Sequence, residues 1–242
     1  MWIIIVLILL VLTVLVYASA DIRSGFYVKT VSRLDTAEKL LALTFDDGPH
    51  PEVTPKVLAI LKKYGIRSVF FCTGEHITAH KSLAQRIVEG GHLIGNHSYN
   101  HRNGFPLLSV RKMREEINRC KDLIATFNLP DTPLWFRPPF GVTNPRLKKA
   151  LKGSGYRVMG WSLRSLDTTI RRPEKVVERV VKRIKPGKIV LFHDSHENTP
   201  LILERVINFA LENGYKFVRA DEKDFFIFNI LAESFGKGAD RV

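Results

Sequence analysis

Two adjacent carboxylates and a pair of imidazoles are the side chains of this sequence best suited to chemistry. Asp46 and Asp47 follow the strand-like run at 41–45 and precede a Gly-Pro turn, and His97 and His101 are four residues apart. One carboxylate with two imidazoles can bind zinc or a similar divalent ion and leave coordination positions open. The second carboxylate can then act as a base. Taken alone, Asp-Asp-Gly suits an ordinary turn equally well, and two histidines can have this spacing by chance.

Three further polar residues could complete a hydrolytic site. Arg137 precedes a Pro-Pro pair, and if it faces Asp46 it would keep that carboxylate ionised. His193 ends a buried-strand pattern and could donate a proton to a leaving nitrogen or oxygen. Asp167 could pair with His193 and raise its pKa. An isolated arginine more commonly pairs with any surface carboxylate, and an isolated histidine in such a run is more commonly a core residue.

Apolar residues near these positions could shape a pocket. The backbone N–H groups at Phe140 and Gly141 could stabilise an oxyanion. Phe140, Trp161 and Leu191 could form apolar walls, although each is equally suited to the core. We assign no role to the remaining histidines and expect them at the surface; they are His50, His76, His80, His92 and His196. Asp194 is expected to serve as a turn or cap residue. Buried packing is the default for Cys72 and Cys120, with a disulfide between them left open.

The elements that must position these residues alternate along the chain. Apolar, β-branched runs predict seven strands at 41–45, 68–72, 92–95, 134–136, 156–161, 188–192 and 216–218. Helical periodicity predicts helices at 54–64, 81–89, 109–127, 144–151, 173–184 and 200–211, and a terminal helix at 225–231. Repeated strand–helix units indicate a parallel sheet covered by helices, which forms a barrel when closed. The polar residues follow the predicted strand ends, where barrel enzymes build their sites.

The N-terminal segment predicts a membrane anchor. Residues 2–17 are apolar and uncharged, and about 18 to 20 such residues can just span a bilayer. Ala18-Ser19-Ala20 also fits a signal-peptide cleavage pattern, but the run is long for a signal core. We therefore divide the chain into an anchor or signal segment (1–20), a lead-in (21–39) and one catalytic domain (40–242). The basic residues after the segment argue for a cytoplasmic domain, but long domains are exported largely regardless of such charges.

The formal net charge of +13 favours anionic surroundings such as a membrane surface, a wall polymer or a nucleic acid. The basic residues are spread over many predicted helices, and the sequence has no nucleic-acid-binding motif. A solvated basic surface is therefore the simplest interpretation, and we expect no nucleic-acid partner.

Together, the motifs resemble those of the polysaccharide deacetylases, whose shared unit is the NodB homology domain (carbohydrate esterase family 4). The matching segments are TFDDGP at 44–49, HSYNH at 97–101, RPPFG at 137–141 and LFHD at 191–194. The resemblance covers about residues 41–220 and implies a distorted (β/α) barrel of about seven parallel strands. It also implies release of acetate from an acetylated polysaccharide by water that a metal ion, most readily Zn²⁺, activates.

The resemblance implies a role for each matching residue. Asp46 would be the general base, and the metal ligands would be Asp47, His97 and His101. His193 would be the general acid and Arg137 would support Asp46. The Phe140 N–H would contribute to the oxyanion site, and the apolar walls would receive the acetyl methyl group.

The fourth motif departs from the family pattern, which is often Asp-x-x-Asp-Trp. Asp167 matches the partner of the acid, whereas Arg164 replaces the other Asp and Thr168 replaces the Trp that usually walls the groove. This departure predicts a more open or differently shaped cleft, with Arg164 near an anionic group.

Three functions remain open from the sequence. The first is an N-deacetylase of an N-acetylglucosamine polymer outside the cytoplasm, such as peptidoglycan. The second is an O-acetyl esterase on xylan or a similar polysaccharide. The third is an inactive glycan-binding domain, against which the complete set of base, acid and metal ligands argues.

Overall fold

The structure is a computed structural model that describes residues 2–127 and 134–222. Its strands are β1 (Thr30–Val31), β2 (Leu40–Asp46), β3 (Val69–Cys72), β4 (Leu93–Asn96), β5 (Leu134–Phe136), β6 (Tyr156–Met159), β7 (Leu163–Arg164), β8 (Lys188–His193) and β9 (Lys216–Phe217). Its α-helices are α1 (Trp2–Ala20), α2 (Thr54–Lys63), α3 (Gly74–Ala79), α4 (Lys81–Glu89), α5 (Val110–Ala125), α6 (Pro145–Leu151), α7 (Pro173–Val181) and α8 (Thr199–Glu212).

The strands form one parallel sheet that curls on itself. Its order is β1-β6-β5-β4-β3-β2-β8-β7, and β9 pairs with the start of β2. Only residues 160–162 separate β6 from β7, although these strands lie near opposite ends of the order. Because so short a connection spans at most about 14 Å, the two ends of the sheet must approach each other. The predicted distorted (β/α) barrel is therefore confirmed, as a curled half-barrel with helices outside.

The side chains of the central strand β2 alternate between the helix-covered face of the sheet and the inside of the barrel. All of its residues are buried, as expected where a parallel sheet is covered on both faces. Phe45 packs toward the helices, with its ring centroid 4.7 Å from that of Phe70 and 6.1 Å from that of Phe192. Thr44 and Asp46 point to the other face, into the barrel, because side chains alternate along a strand.

All seven predicted strands are present, with bounds that differ by at most two residues. The largest difference is at β6, which ends at Met159 and leaves Trp161 in the connection to β7. The strands β1 and β7 and the helix α3 were not predicted, since two-residue strands and a six-residue helix carry too little periodicity. The lead-in at 21–39 contributes β1 to the sheet. The predicted terminal helix at 225–231 lies outside the described residues.

Two further expectations concern the cysteines and the N-terminal segment. Cys72 and Cys120 are both free and buried. Both therefore pack in the interior, as expected by default, and they form no disulfide with each other. Trp2–Ala20 is a single helix whose length and composition would allow it to cross a membrane, and almost all of its surface is exposed.

Candidate active site

The predicted site residues meet at the carboxyl ends of the strands. Asp46 and His193 are the last residues of β2 and β8, His97 follows β4 directly, and Arg137 follows β5 directly. A cavity of about 210 Å³ opens at this end; it is lined by Asp46, Asp47, His97, His101, Phe140, Gly141, Trp161, Arg164, Thr168, Leu191 and His193. Arg137 and Asp167 lie behind its wall and are fully buried. The structure thus brings together all ten residues that the sequence singled out.

Asp47, His97 and His101 form a candidate metal centre. One ligand atom from each lies within 4.8 Å of the other two, and Oδ1 of Asp47 is 3.5 Å from Nε2 of His97 and 3.6 Å from Nε2 of His101. The Nδ1 of His97 lies 2.7 Å from the carbonyl of Arg137. Because a carbonyl can only accept, this nitrogen carries the hydrogen and leaves Nε2 free as a ligand.

The environment of His97 keeps the imidazole neutral, as a metal ligand must be. Burial, followed by the neighbouring His101, lowers the pKa of His97 to about 3, although Asp47 acts in the opposite direction. The donor set of one carboxylate and two neutral imidazoles fits zinc with open positions for water and substrate.

Unusual backbone conformations direct the side chains of the two more exposed candidate ligands, Asp47 and His101, into the cavity. Asp47 has φ 73° and His101 has φ 46°, both in the left-handed region that residues with a Cβ seldom adopt. His76 on α3 holds the turn at Asp47, because its Nδ1 lies 2.6 Å from the Asp47 carbonyl. Ser98 accepts a hydrogen bond from the His101 N–H at 3.2 Å and so holds the loop that carries His101. No sequence signal identified His76, because its partner is a backbone atom on a distant loop.

Arg137 fixes Asp46 from inside the barrel. Its Nη1 donates to Oδ1 of Asp46 at 2.6 Å and to the hydroxyl of Thr44 at 2.9 Å. Nε and Nη2 donate to the carbonyls of Met159 and Gly160. The guanidinium is fully buried, so these bonds and the carboxylate compensate its desolvation. The other oxygen of Asp46, Oδ2, lies 3.7 Å from Nε2 of His97 and therefore beside the candidate metal centre.

His193, whose Cα pairs with that of Asp46 across β2 and β8, forms a buried ion pair with Asp167. The Nδ1 of His193 donates to Oδ1 of Asp167 at 2.8 Å, and its backbone N–H donates to Oδ2 at 2.8 Å. Ser165 and Thr199 also donate to this carboxylate, and the sequence did not single them out. Burial lowers the pKa of His193, but the hydrogen bond and charge of Asp167, with Asp46 and Asp47, outweigh it and raise the pKa to about 9. His193 is therefore protonated at neutral pH.

The third-motif loop forms one wall of the cavity. Phe140 has φ 60°, is 43% exposed and lies against His101, with ring centroids 4.6 Å apart. Gly141 leaves room for Trp161, because a Cβ at this position would overlap the indole ring. Leu191 is buried at the base of the cavity.

Asp194 and His92 both have structural partners. Asp194 accepts a hydrogen bond from Thr54 at 2.5 Å, and burial raises its pKa to about 7. Its carboxylate fills the space beside Gly48, where a Cβ would overlap it. The expectation that His92 lies at the surface was wrong: it is 5% exposed and its Nδ1 accepts from the Ser68 N–H. Burial, with Arg219 and Arg67, lowers its pKa to about 4.

Comparisons with known proteins agree with this geometry. Residues 33–159 match the family model for polysaccharide deacetylase. The chain is 35% identical over 190 residues to a peptidoglycan-N-acetylglucosamine deacetylase of Bacillus cereus, which covers 76% of this chain and 88% of that protein. The structure of Bacillus subtilis PdaA, a family 4 carbohydrate esterase, matches with a TM-score of 0.73 and 30% identity, over 81% of this chain and 85% of that one.

A neighbour described as a pseudoenzyme is also similar in structure. A carbohydrate esterase family 4 pseudoenzyme from Bacillus anthracis matches with a TM-score of 0.72 and 29% identity, over 78% of this chain and 66% of that one. The fold alone is therefore not evidence of turnover. The family model, the Bacillus cereus relative and the shared fold nevertheless agree, and the chain belongs to the polysaccharide deacetylase family, carbohydrate esterase family 4.

Proposed function

We propose that this protein is a metal-dependent deacetylase that removes N-acetyl groups from an N-acetylglucosamine-containing envelope glycan. One observation carries the proposal: the three ligand atoms of Asp47, His97 and His101 lie within 4.8 Å of one another, in a cavity that Asp46 and His193 also line. A carboxylate base and a protonated imidazole beside a three-ligand metal centre suit hydrolysis of an acetyl group.

The metal centre would be held by Asp47, His97 and His101. A divalent ion there, most readily Zn²⁺ given the ligands, would supply Lewis-acid activation of water and of the acetyl carbonyl. Asp46 would take the proton from the attacking water with Oδ2, while Arg137 holds Oδ1. Bonding of one oxygen to Arg137 thus leaves the other for proton transfer.

His193 would complete the reaction as the general acid. Its Nδ1 is bonded to Asp167, so Nε2 is the nitrogen available to the cavity. The proton held there would pass to the amide nitrogen as its bond to the acetyl carbon breaks, giving acetate and a free amine on the sugar. The Phe140 N–H would donate to the oxyanion that forms on the acetyl oxygen. Trp161 and Leu191 would contact the acetyl methyl group.

The relatives support the choice of glycan. One is named a peptidoglycan-N-acetylglucosamine deacetylase and another a peptidoglycan-N-acetylmuramic acid deacetylase. By analogy we place the substrate in the cell wall and the catalytic domain outside the cytoplasm, anchored through α1. The basic surface suits such an anionic envelope and requires no nucleic-acid partner.

Acetate release from a panel of glycans tests the proposal. The panel contains N-acetylchitooligosaccharides, peptidoglycan fragments and acetylated xylan, each incubated with and without a chelator. We expect chelator-sensitive acetate release from the N-acetylated glycans. Release from xylan alone would favour the O-acetyl esterase, and no release from any glycan by zinc-loaded protein would favour an inactive glycan-binding domain.

A further inference from the structure

The apolar helix α1 contacts the catalytic domain through its last turn. The Thr143 N–H donates to the carbonyl of Ser19 at 3.0 Å, and the Ser24 hydroxyl donates to the carbonyl of Ala18 at 2.9 Å. Ala18 is 3% exposed, although the rest of the helix is almost entirely exposed. The end of α1 is therefore part of the domain surface and not the start of a flexible linker.

The chain after the helix is also fixed in place. Ile22 is 2% exposed, and its side chain lies beside Gly160. Its carbonyl accepts a hydrogen bond from the Thr30 hydroxyl at 2.7 Å, which joins it to β1. Asp21 accepts from the Arg23 N–H and caps the short 3-10 turn at Ile22–Ser24. These contacts connect α1 to the sheet without a flexible segment between them.

The helix end and the turn that follows it both contact segments next to the cavity. Thr143 follows Phe140 by three residues, so their Cα atoms are at most about 11 Å apart. Gly160, beside Ile22, precedes Trp161 and accepts a hydrogen bond from Arg137. The end of α1 thus lies at the cavity end of the barrel.

The length of α1 fixes where this contact would lie in a bilayer. A helix of 19 residues is about 28 Å long, close to the hydrocarbon thickness of about 30 Å. A membrane crossing therefore uses the whole helix and leaves Ala18 at the bilayer surface. Tyr17 and Phe26 are exposed there, as aromatic residues at membrane interfaces are. Arg23 and Lys29, also exposed, can face anionic headgroups.

We propose that α1 holds the cavity at the surface of the bilayer, so that the enzyme acts on acetylated amino-sugar chains carried within roughly 20 Å of the headgroups. This inference rests on the proposed function for the reaction but adds a limit on where the substrate lies. A freely tethered domain would reach glycans much farther from the membrane. The rigid contact selects glycans attached to lipid, or newly made strands next to it.

A comparison of two substrate heights tests this limit. The full chain is placed in nanodiscs, which display both bilayer faces, with N-acetylchitotetraose coupled to a phospholipid either directly or through a rigid polyproline spacer of about 37 Å. We expect acetate release to be at least tenfold faster from the direct conjugate. A variant with about 40 Gly/Ser residues inserted between Tyr17 and Ala18, before the residues that contact the domain, should bring this ratio near one, because its linker has a root-mean-square length of about 35 Å.

The same preparations contain the control for the proposed function. Soluble N-acetylchitotetraose should be deacetylated equally by both proteins. A ratio near one for the unmodified chain, or a ratio that the linker leaves unchanged, would overturn the inference while the reaction stands. Failure to deacetylate even the soluble substrate would contradict the proposed function. The inference is then tested by measuring how close the cavity end of the domain lies to the bilayer.

Fluorescence quenching measures that position without activity. Leu107 is 78% exposed and lies near the helix end, because Asn144, next to Thr143, donates to the carbonyl of Pro106. A bimane label at Leu107→Cys should be quenched by lipids with a quencher on the headgroup. A label at Lys62→Cys should not be, because α2 ends at the opposite end of the barrel. Cys72 and Cys120 are buried and should not react. Equal quenching at both positions would contradict the inference.

Discussion

At the scale of single residues, Asp46 and Asp47 differ because the backbone turns between them. Asp46 is the last residue of β2 and points into the barrel, where Arg137 holds it. A regular strand would direct Asp47 to the opposite face. Its φ of 73° instead brings it back to the same cavity, and Gly48 then packs against Asp194. The two carboxylates can therefore take different parts in one reaction.

Arg137 should matter for stability as well as for activity. Arg137→Met leaves the buried carboxylate of Asp46 without its cation and Thr44, Met159 and Gly160 without their donor. We expect a loss of about 3–5 kcal/mol in the free energy of unfolding, measured by urea denaturation of the full chain in detergent. Arg111→Met is the matched control, because Arg111 is an exposed helix residue, and it should cause no measurable loss. Equal losses for both would show that the buried pair contributes nothing.

Asp167 should set the alkaline limit of activity. The pKa of His193 is raised from 6.5 to about 9, so its imidazole is protonated at neutral pH and loses its proton as the pH rises through that value. Asp167→Asn removes the main cause of the rise, and burial then favours the neutral ring. We expect the alkaline limb of kcat/KM to move toward acid pH by more than about one unit.

Thr199→Val is the control for this shift, because it removes a hydrogen bond to Asp167 and keeps the charge. Its alkaline limb should move much less. A bound cation lowers the pKa of His193 in the unmodified protein and in both variants, since its charge opposes the imidazolium. The order of the three pKa values stays the same. Identical profiles for Asp167→Asn and the unmodified protein would contradict the assignment of His193 as the acid.

At the scale of elements, the sequence predicts the strands and helices that are long enough to show a periodic pattern. It does not predict very short strands or contacts between distant segments. The long apolar strands predict the parallel sheet, and their ends predict which polar residues meet. The strands β1 and β7 have two residues each, too few for a pattern, so curling through the connection at 160–162 was not predicted from periodicity. The contacts of Thr44 and His76 were also missed, because each depends on a partner from a distant loop.

The end of β7 and the turn that follows it should control the choice of glycan. Arg164 and Thr168 both line the cavity, and Arg164 is exposed. We expect Arg164→Asp to lower kcat/KM for carboxylate-bearing peptidoglycan fragments relative to neutral chitooligosaccharides by about tenfold, equivalent to about 1.4 kcal/mol. Thr168→Trp should narrow the groove and also change the relative rates. Zinc affinity should stay the same in both variants. If both variants kept the glycan preference of the unmodified protein, Arg164 and Thr168 would not determine specificity.

At the scale of the whole molecule, the barrel joins a basic surface to an apolar helix. The net charge of +13 and the helix α1 both suit a protein that works beside an anionic envelope. The sequence predicts the helix from composition alone. It could not predict that Thr143, next to the third motif, contacts the helix end, because that contact joins two segments far apart in the chain.

The proposed reaction requires Asp46 to act as the base while the candidate ligands Asp47, His97 and His101 bind the metal. Zinc content and acetate release, measured on the same sample of Asp46→Asn, test it most directly. Asparagine keeps an oxygen that can accept from Arg137 but cannot take a proton from water. We expect about one zinc per chain, as in the unmodified protein, and a rate at least 10²-fold lower. Near-native acetate release, or loss of the zinc, would contradict the account.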